Sequence, residues 1–398
     1  MEILFVSHKY PPATGGMERQ SFELIQGAKQ YARVHALVYE PGESRMRFFM
    51  KLNGRINRLC KEHPGISIIH FNDALIASMS LTHRGYGHLK RTMTVHGLDI
   101  VFPSAFYKRF ILPRFNRFDL IIAVSQATRN ACIERKIRKN KVVVIQNGVD
   151  TDVKTKASRE VIDRLLLERY QLDSGGKRIL VAMGRPVIRK GFSWFIRNVM
   201  PALHKDFILL LIGPVCHDTD KDRVWRLLPG FLRTRLELFL GYPSDAIHIR
   251  RSLRDVTVSP RVKHLGKLSL QDLTAIISVA DAYVMPNIAV EGDMEGFGLV
   301  CLEAAMCGTR VFASGLEGIT DAIHHGKNGF LIPSAHASAW IETLNSLRTD
   351  EDKFTLSPED IIGFTKQTFS WQRMTERYLE AFRNLDQAEG TGERGSVI

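Results

Sequence analysis

Short apolar runs alternate with amphipathic stretches along almost the whole chain. In the first half the apolar runs are continuous, and the stretch from Met17 to Tyr31 after the first of them predicts a helix. Continuous apolar runs indicate strands buried on both faces, and their alternation with helices indicates a parallel sheet with right-handed crossovers. Strands are predicted at Ile3–Val6, Val34–Val38, Ile66–Ile69, Met93–Val95, Leu120–Val124 and Val142–Ile145.

A second series of the same kind follows the flexible Asp173-Ser174-Gly175-Gly176 stretch. Its strands are predicted at Ile179–Met183, Phe207–Ile212, Val262–Leu265, Ala282–Met285 and Val311–Ala313. The pattern therefore predicts an α/β protein with two doubly wound parallel sheets, in Rossmann-like domains at 1–165 and 166–370. The last helix, 371–386, is expected to pack back on the first domain. Because such sheets bind ligands outside the carboxyl ends of their strands, a cleft between the domains is the expected site.

Length and composition agree with a globular protein of two or three domains. The chain has 398 residues, of which 44% are hydrophobic and 24% charged. No apolar run approaches the ~20 residues that span a bilayer, and the amino terminus has no features of a signal peptide. The five cysteines form no CxxC pair, which indicates reduced thiols and a cytoplasmic protein.

Net charge narrows the choice of partners. The 55 Lys and Arg residues exceed the 42 Asp and Glu residues, so the formal charge is +13. Such an excess favours a polyanionic partner: nucleic acid, an anionic membrane or a phosphate-bearing ligand. No recognised nucleic-acid motif occurs, so nucleic acid is not an expected partner.

Two glycine-bounded loops each follow the first strand of a series. The pair Gly15-Gly16 precedes a predicted helix, where bare backbone N–H groups can approach an anion; an ordinary strand–helix turn is the alternative. The loop Gly184–Gly191 carries Arg185 and Lys190. The planar donors of Arg and the point charge of Lys suit a diphosphate, and the alternative is an exposed basic loop.

The most specific pattern follows the predicted strand Ala282–Met285. Glu295 is expected in the loop before a helix and Glu303 within that helix, at most ~12 Å apart at 1.5 Å per residue. Two carboxylates at that spacing suit separate parts of one extended ligand. Gly296 and Gly298 leave backbone N–H groups at the helix start, where an anion is favoured. The alternative is a helix cap at Glu295 and a structural ion pair at Glu303.

This E-x7-E spacing, written EGFGLVCLEA, resembles the signature of retaining GT-B glycosyltransferases of family 4. The resemblance extends from Gly15-Gly16 to Trp371 and is most specific in the E-x7-E block together with GRPVIRKG. The family includes bacterial enzymes for lipopolysaccharide, capsule and phosphatidylinositol mannosides. The resemblance implies transfer of a hexose-type sugar, with retention, from a nucleotide-diphosphate donor of UDP or GDP type. The implied acceptor is a glycan or lipid-linked molecule in cell-surface polysaccharide or lipopolysaccharide synthesis.

The resemblance also implies roles for individual residues. Glu295 would face the donor hexose, Glu303 would hold the ribose, and His96 would lie beside the transferred sugar. The residues implied in donor binding are Gly15, Gly16, Arg185, Lys190, Lys267, Leu268, Glu295, Phe297, Gly298, Leu299 and Glu303. Those implied in catalysis are His96, Glu295, Arg185 and Lys190.

The expected mechanism uses no metal and no other cofactor. Arg185, Lys190 and helix-end amides would stabilise the negative charge that develops on the departing diphosphate. Asp218 and Asp220 form a DxD pattern, which marks metal-dependent glycosyltransferases of the other major fold. That pattern lies in a charge cluster typical of a solvated surface, and the single-sheet fold would leave the second series of strands unexplained.

Two segments of the first domain combine aromatic residues with cations. Phe102–Phe118 contains five Phe and one Tyr among four cations, and Arg45–Lys61 is similar. Such segments are typical of peripheral contact with an anionic membrane, here its inner face. Ordinary helices with core aromatics and solvated cations are the alternative.

The sequence leaves two rival functions open. A nucleotide-sugar epimerase or hydrolase of the same fold would consume the donor without an acceptor, and a non-catalytic basic binding protein would not turn it over. His217–Pro260 is long for a connection between core strands and is interpreted as an insertion with one or two helices. The glycine-rich end, Ala388–Ile398, is expected to fray.

Overall fold

The computed structural model describes residues 1–82, 85–153, 157–214, 244–255, 259–350 and 354–387. The chain divides into two compact units, of which the first comprises Met1–Gly148 and the stretch that begins at Phe369. The second comprises Val149–Thr368. Each unit contains a six-stranded sheet in which neighbouring strands are parallel. The predicted pair of doubly wound parallel sheets is confirmed.

The amino-terminal unit has the strand order β2-β1-β3-β4-β5-β6. All four residues of β5 are buried, whereas the edge strand β2 exposes Arg33 and Ala36, as expected for central and edge positions. The strands are β1 Glu2–Ser7, β2 Arg33–Val38, β3 Ile66–Phe71, β4 Lys90–Val95, β5 Leu120–Ala123 and β6 Val142–Val144. The helices along this stretch are α1 Gly16–Ala28, α2 Arg45–Glu62, α3 Ala74–Ser80, α4 Leu98–Val101 and α5 Gln126–Glu134.

The last described helix, Trp371–Gln387, packs within the amino-terminal unit. The hydroxyl of Tyr378 shares a hydrogen bond of 2.9 Å with Thr94 and accepts one of 3.2 Å from Gln20. Gly148 lies so close to the start of this helix that a Cβ there would collide with the backbone of Trp371. Burial and these hydrogen bonds hold this helix against the first sheet.

The boundary between the units lies at Gly148, before the predicted boundary at residue 165. The helix α6, Arg159–Tyr170, explains the difference. Its buried side chains Ile162 and Leu166 join the core of the second unit beside β7 and β8. The polar stretch after Gly148 is therefore the first part of the second unit rather than the last part of the first.

The carboxyl-terminal unit has the strand order β12-β11-β10-β7-β8-β9. Its strands are β7 Arg178–Met183, β8 Phe207–Ile212, β9 Val262–Gly266, β10 Ala282–Met285, β11 Val311–Ser314 and β12 Phe330–Ile332. Five of these match predicted strands, and the three-residue β12 was not predicted. The helices after α6 are α7 Phe192–Asn198, α8 Ala246–Ser252, α9 Leu270–Ser278, α10 Leu299–Met306, α11 Ile319–Ala322, α12 Ala337–Thr349 and α13 Pro358–Thr368, and α14 is Trp371–Gln387.

Some predicted features lie partly or wholly outside the described residues. Asp218, Asp220 and the tail 388–398 are among them, as is most of the predicted insertion His217–Pro260; its described part contains α8. Within Phe102–Phe118, the described backbone forms short π and 3-10 turns. Among the described residues, no helix combines the length and the apolar character needed to cross a bilayer.

Candidate active site

The loop after β7 brings its cations to the carboxyl end of the second sheet. It enters α7 through the 3-10 turn Ile188–Lys190 and then Gly191, whose φ is +67°. A Cβ at Gly191 would collide with the carbonyl oxygen of Pro286, which follows β10. Glycine therefore permits the close approach of two strand-end loops and directs Lys190 inward, where it is 6% exposed.

Glu295 pairs directly with the cations of this loop. Its Oε2 lies 2.8 Å from Lys190 Nζ, contacts the guanidinium of Arg189, and accepts a hydrogen bond of 3.2 Å from Asn287. Burial by itself would raise the pKa of Glu295, but Arg189 and Lys190 outweigh it and bring the pKa to about 2. At neutral pH this side chain is an ionised, acceptor-only group.

Arg189 joins two carboxylates of the loop after β10. Its Nε lies 3.2 Å from Asp293 Oδ1, and its Nη1 contacts Glu295. Burial opposes its charge, yet Glu295 and Asp293 raise the pKa of Arg189. Sequence reasoning singled out the neighbouring Lys190 and missed Arg189. The sequence offered one signal for this pairing: two acids in Asp293-Met294-Glu295, and two adjacent cations in Arg189-Lys190.

Glu317 is a second acid that sequence reasoning missed. It lies in the turn after β11, and its carboxylate accepts a hydrogen bond of 2.6 Å from the backbone N–H of Glu295. Burial raises the pKa of Glu317 to about 7 against the opposing effect of that hydrogen bond, and the charge of Glu295 adds to the rise.

The other predicted donor-binding residues of this unit lie near the ends of its strands. Arg185 is exposed in the loop after β7, and after β9 Lys267 is exposed while Leu268 is half-buried. Gly298, with a φ of +93°, precedes the first helical residue Leu299, and Phe297 is buried. Glu303 is half-buried within α10. Of the predicted residues, Lys190 and Glu295 are in direct contact.

The amino-terminal unit holds His96 at the end of β4. The ring Nε2 of His96 donates a hydrogen bond of 2.8 Å to the backbone oxygen of Asn72 when it carries the proton. The backbone N–H of His96 donates to the carboxylate of Asp99, at 3.0 and 3.1 Å. Gly15 and Gly16 are exposed at the start of α1.

Two further acids lie at these strand ends. Asp73 caps α3 by accepting from the N–H of Ile76 at 3.0 Å, and its other oxygen lies 2.9 Å from His8 Nδ1. Burial would raise the pKa of Asp73, but His8 holds it below its ordinary value. Burial raises the pKa of Asp99 in spite of His96. Asn72, whose backbone oxygen contacts His96, has a buried side-chain amide with no hydrogen-bond partner among the described residues.

In the described part of the chain, a possible set of metal ligands lies away from these strand ends. In that part of the chain, the single group of three His, Cys, Asp or Glu side chains with converging ligand atoms is Glu2, His35 and His63. Glu2 opens β1, at the end of the first sheet opposite to His96. That group is therefore remote from the strand ends that carry the predicted catalytic residues.

Both halves of the chain match known protein families. Residues 5–153 match the family described as Glycosyltransferase Family 4. Residues 177–350 match the family described as Glycosyl transferases group 1. The two matches fall on the two sheets, one on each.

Two curated relatives illustrate the range of sequence similarity. The D-inositol 3-phosphate glycosyltransferase of Paenarthrobacter aurescens is 32% identical over 200 residues, which is 47% of this chain and 46% of that protein. This chain therefore spans about half the length of that relative. The GDP-mannose-dependent alpha-(1-6)-phosphatidylinositol monomannoside mannosyltransferase of Mycobacterium tuberculosis is 23% identical over 97% of this chain and 99% of its own.

Solved structures share the fold over nearly the whole chain. Anabaena HepE in complex with UDP superposes with a TM-score of 0.70 at 20% identity, covering 96% of this chain and 100% of that one. Sucrose-phosphate synthase from Thermosynechococcus elongatus has a TM-score of 0.71 at 19% identity, covering 98% and 100%. At these identities the likeness concerns the fold.

Proposed function

Because the chain belongs to the group 1/family 4 glycosyltransferases and has the GT-B fold, we propose that it transfers a hexose-type sugar with retention of anomeric configuration. The donor is a nucleotide-diphosphate sugar of UDP or GDP type. The observation that supports this proposal most is the contact between Lys190 and Glu295. In the proposal Lys190 would face the phosphate and Glu295 would accept hydrogen bonds from sugar hydroxyls. Anabaena HepE, which shares the fold, has been solved in complex with UDP-glucose, and the Mycobacterium tuberculosis relative is named as GDP-mannose-dependent.

The charges at the second sheet suit departure of a diphosphate. Cleavage of a sugar–phosphate bond builds negative charge on the diphosphate, which Lys190, Arg185 and the backbone amides before α10 would stabilise. Glu295, ionised and fixed by Arg189, would accept hydrogen bonds from the sugar. In this proposal attack occurs on the face that the leaving phosphate vacates, without a metal and without a covalent enzyme intermediate.

The proposed acceptor is a glycan or lipid-linked molecule in surface-glycan synthesis, used at the inner face of the membrane. Two relatives are named for inositol phosphate and phosphatidylinositol mannoside. In the basic segments, Phe48, Phe115 and Phe118 are buried in the core. Phe106 and Phe110 are 66% and 48% exposed, with ring centroids 5.1 Å apart. These exposed rings, beside cations, support peripheral contact with anionic lipid.

A thermal-shift screen of UDP-, GDP- and ADP-sugars tests the donor. Stabilisation by one nucleotide class is expected, since a ligand that binds only the folded state raises the midpoint temperature of unfolding.

A turnover assay then tests the reaction. The selected donor is incubated with and without inositol 3-phosphate or phosphatidylinositol vesicles, in EDTA. Acceptor-dependent release of nucleotide supports a transferase. Acceptor-independent consumption would identify an epimerase or hydrolase, and binding without turnover a binding protein. Loss of activity in EDTA that Mn²⁺ restores would overturn the metal-free mechanism.

A further inference from the structure

The turn that carries Glu317 is joined to the Glu295 backbone in both directions. The carboxylate of Glu317 accepts from the Glu295 N–H at 2.6 Å, and the N–H of Gly318 donates to the Glu295 carbonyl at 3.1 Å. A Cβ at Gly318 would collide with the carbonyl oxygen of Gly296. Glu317 itself has a φ of +51°, a conformation that non-glycine residues adopt at a cost. The turn is therefore held closely against the loop that opens α10.

The surrounding charges leave an excess of acid. The charged groups that face Glu317 are Glu295, Arg189 and Asp293, from the two loops packed against its turn. Lys190, the second cation of the cluster, pairs with Glu295. If every group is ionised, three carboxylates face two cations in a half-buried volume. Burial raises the pKa of Glu317 to about 7 and also raises that of Asp293, whereas Glu295 is brought to about 2. Glu317 therefore holds its proton more tightly than Glu295.

A bound diphosphate would increase this excess. This step rests on the proposed function, in which Lys190 faces the diphosphate as well as Glu295. The amino group of Lys190 then has two anionic partners instead of one. The added negative charge favours protonation of the nearest weak acid. We propose that Glu317 is a positioning residue of the donor site that takes up one proton from solvent when the nucleotide-diphosphate sugar binds. The proton neutralises the Glu317 side chain. The carbonyl oxygen of the protonated carboxyl group still accepts the hydrogen bond from the Glu295 N–H.

Calorimetric titration with UDP-glucose and GDP-mannose tests this uptake. Titrations of the full chain in HEPES and in Tris, two amine buffers with different heats of ionisation, at about pH 7 to about pH 8.5, separate the protons exchanged from the heat of binding. For the wild type we expect uptake that approaches one proton, and affinity that weakens by up to about tenfold per pH unit, the limit for one proton. Glu317→Gln should show neither effect. Glu291→Gln, at an exposed carboxylate on the loop that carries Glu295, should behave as the wild type. Equal proton uptake in wild type and Glu317→Gln would overturn the proposal.

A measurement without ligand separates this proposal from the proposed function. The pKa of Glu317 is raised above its ordinary value of 4.5 in the folded protein. The folded state then binds the proton more tightly than the unfolded state, so wild-type stability should fall relative to Glu317→Gln between about pH 4.5 and about pH 7. Parallel profiles for the two proteins would overturn the proton site. Diverging profiles without binding of either nucleotide sugar would support the proton site and count against the proposed function.

Discussion

Carboxylates lie at the strand ends of both units, but their partners differ. In the carboxyl-terminal unit, Glu295 contacts the guanidinium of Arg189 and the amino group of Lys190. In the amino-terminal unit, Asp73 contacts His8, whose ring is a cation only when it is protonated. The first arrangement pairs its acid with two basic side chains, whereas the second pairs its acid with an imidazole.

The difference in partners appears in the direction in which the pKa of each acid is shifted. Burial opposes the charge of Glu295 and of Asp99 alike. Two permanent cations overcome it for Glu295, and His96 does not overcome it for Asp99. Burial alone therefore does not predict whether an acid at a strand end is ionised. Nor does the kind of cation decide it, because His8 holds the pKa of Asp73 below its ordinary value, whereas burial outweighs His96 at Asp99. The balance between burial and the particular contacts of each acid decides the outcome.

The largest effect is expected when a permanent cation is removed. Arg189→Ala leaves Asp293 and Glu295 with less compensation in a largely buried site. We expect a loss of ~3–5 kcal/mol in the free energy of unfolding, as for other broken buried pairs, measured by urea denaturation. Arg169→Ala is the control, because Arg169 is 60% exposed in its pair with Asp272, and it should cost ~0–1 kcal/mol. Equal small losses would show that the cluster adds nothing beyond a surface pair.

Glu295→Gln separates the role of the acid in turnover from its role in stability. The amide keeps the shape of the side chain but loses the charge that faces Lys190. We expect kcat/KM to fall by ~100- to 1000-fold, the range for loss of one electrostatic contact to the transition state. Glu291→Gln, on the same loop but exposed, should retain wild-type kinetics. Unchanged turnover in Glu295→Gln would contradict the assignment. With a pKa of about 2, Glu295 should add no limb to the pH–rate profile above about pH 4.

The strands were predictable because each buried strand is a continuous apolar run. β8, for example, is buried at every position. The exception is β12, which has three residues and gives too short a run to distinguish. The domain boundary was misplaced because α6 buries just Ile162 and Leu166 within a polar sequence. Local pattern does not show which core such a helix joins.

Two of the predicted site residues could be named because a motif carries each of them. Glu295 and Lys190 lie within such motifs, and the structure brings them into contact. Arg189 and Glu317 were missed because no motif assigned them a role, and their contacts with Glu295 could not be read from the sequence. Arg189 meets Glu295 across 106 positions, and Glu317 meets it across 22. Pairings at such separations follow from strand order, which periodicity does not determine.

Asp99→Asn tests the amino-terminal half of the comparison, with a smaller effect. Burial raises the pKa of Asp99 above its ordinary value of 3.8, so the folded state binds the proton more tightly than the unfolded state. Wild-type stability should therefore fall relative to Asp99→Asn as the pH rises from about 4, by at most ~1.4 kcal/mol per pH unit. Thermal unfolding of both proteins from about pH 4 to about pH 8 measures the difference. Asp152→Asn, at an exposed position, should follow the wild type. A constant difference between wild type and Asp99→Asn would contradict the shift.

The smallest effect is expected for exposed apolar side chains. Here the two units are compared by how much their exposed apolar side chains contribute to vesicle binding. Phe106 and Phe110 of the first unit lie beside cations, with the guanidinium of Arg109 5.7 Å from the ring centroid of Phe110. The double change Phe106→Ser with Phe110→Ser should weaken flotation with anionic vesicles by about fivefold, or ~1 kcal/mol. Leu270→Ser is the matched control in the second unit, because Leu270 is 74% exposed. Equal loss in both variants would mean that apolar exposure in general drives binding. Absence of wild-type flotation would remove the membrane from the proposed function and leave the donor site unaffected, since these rings and the Glu295 cluster lie in different units.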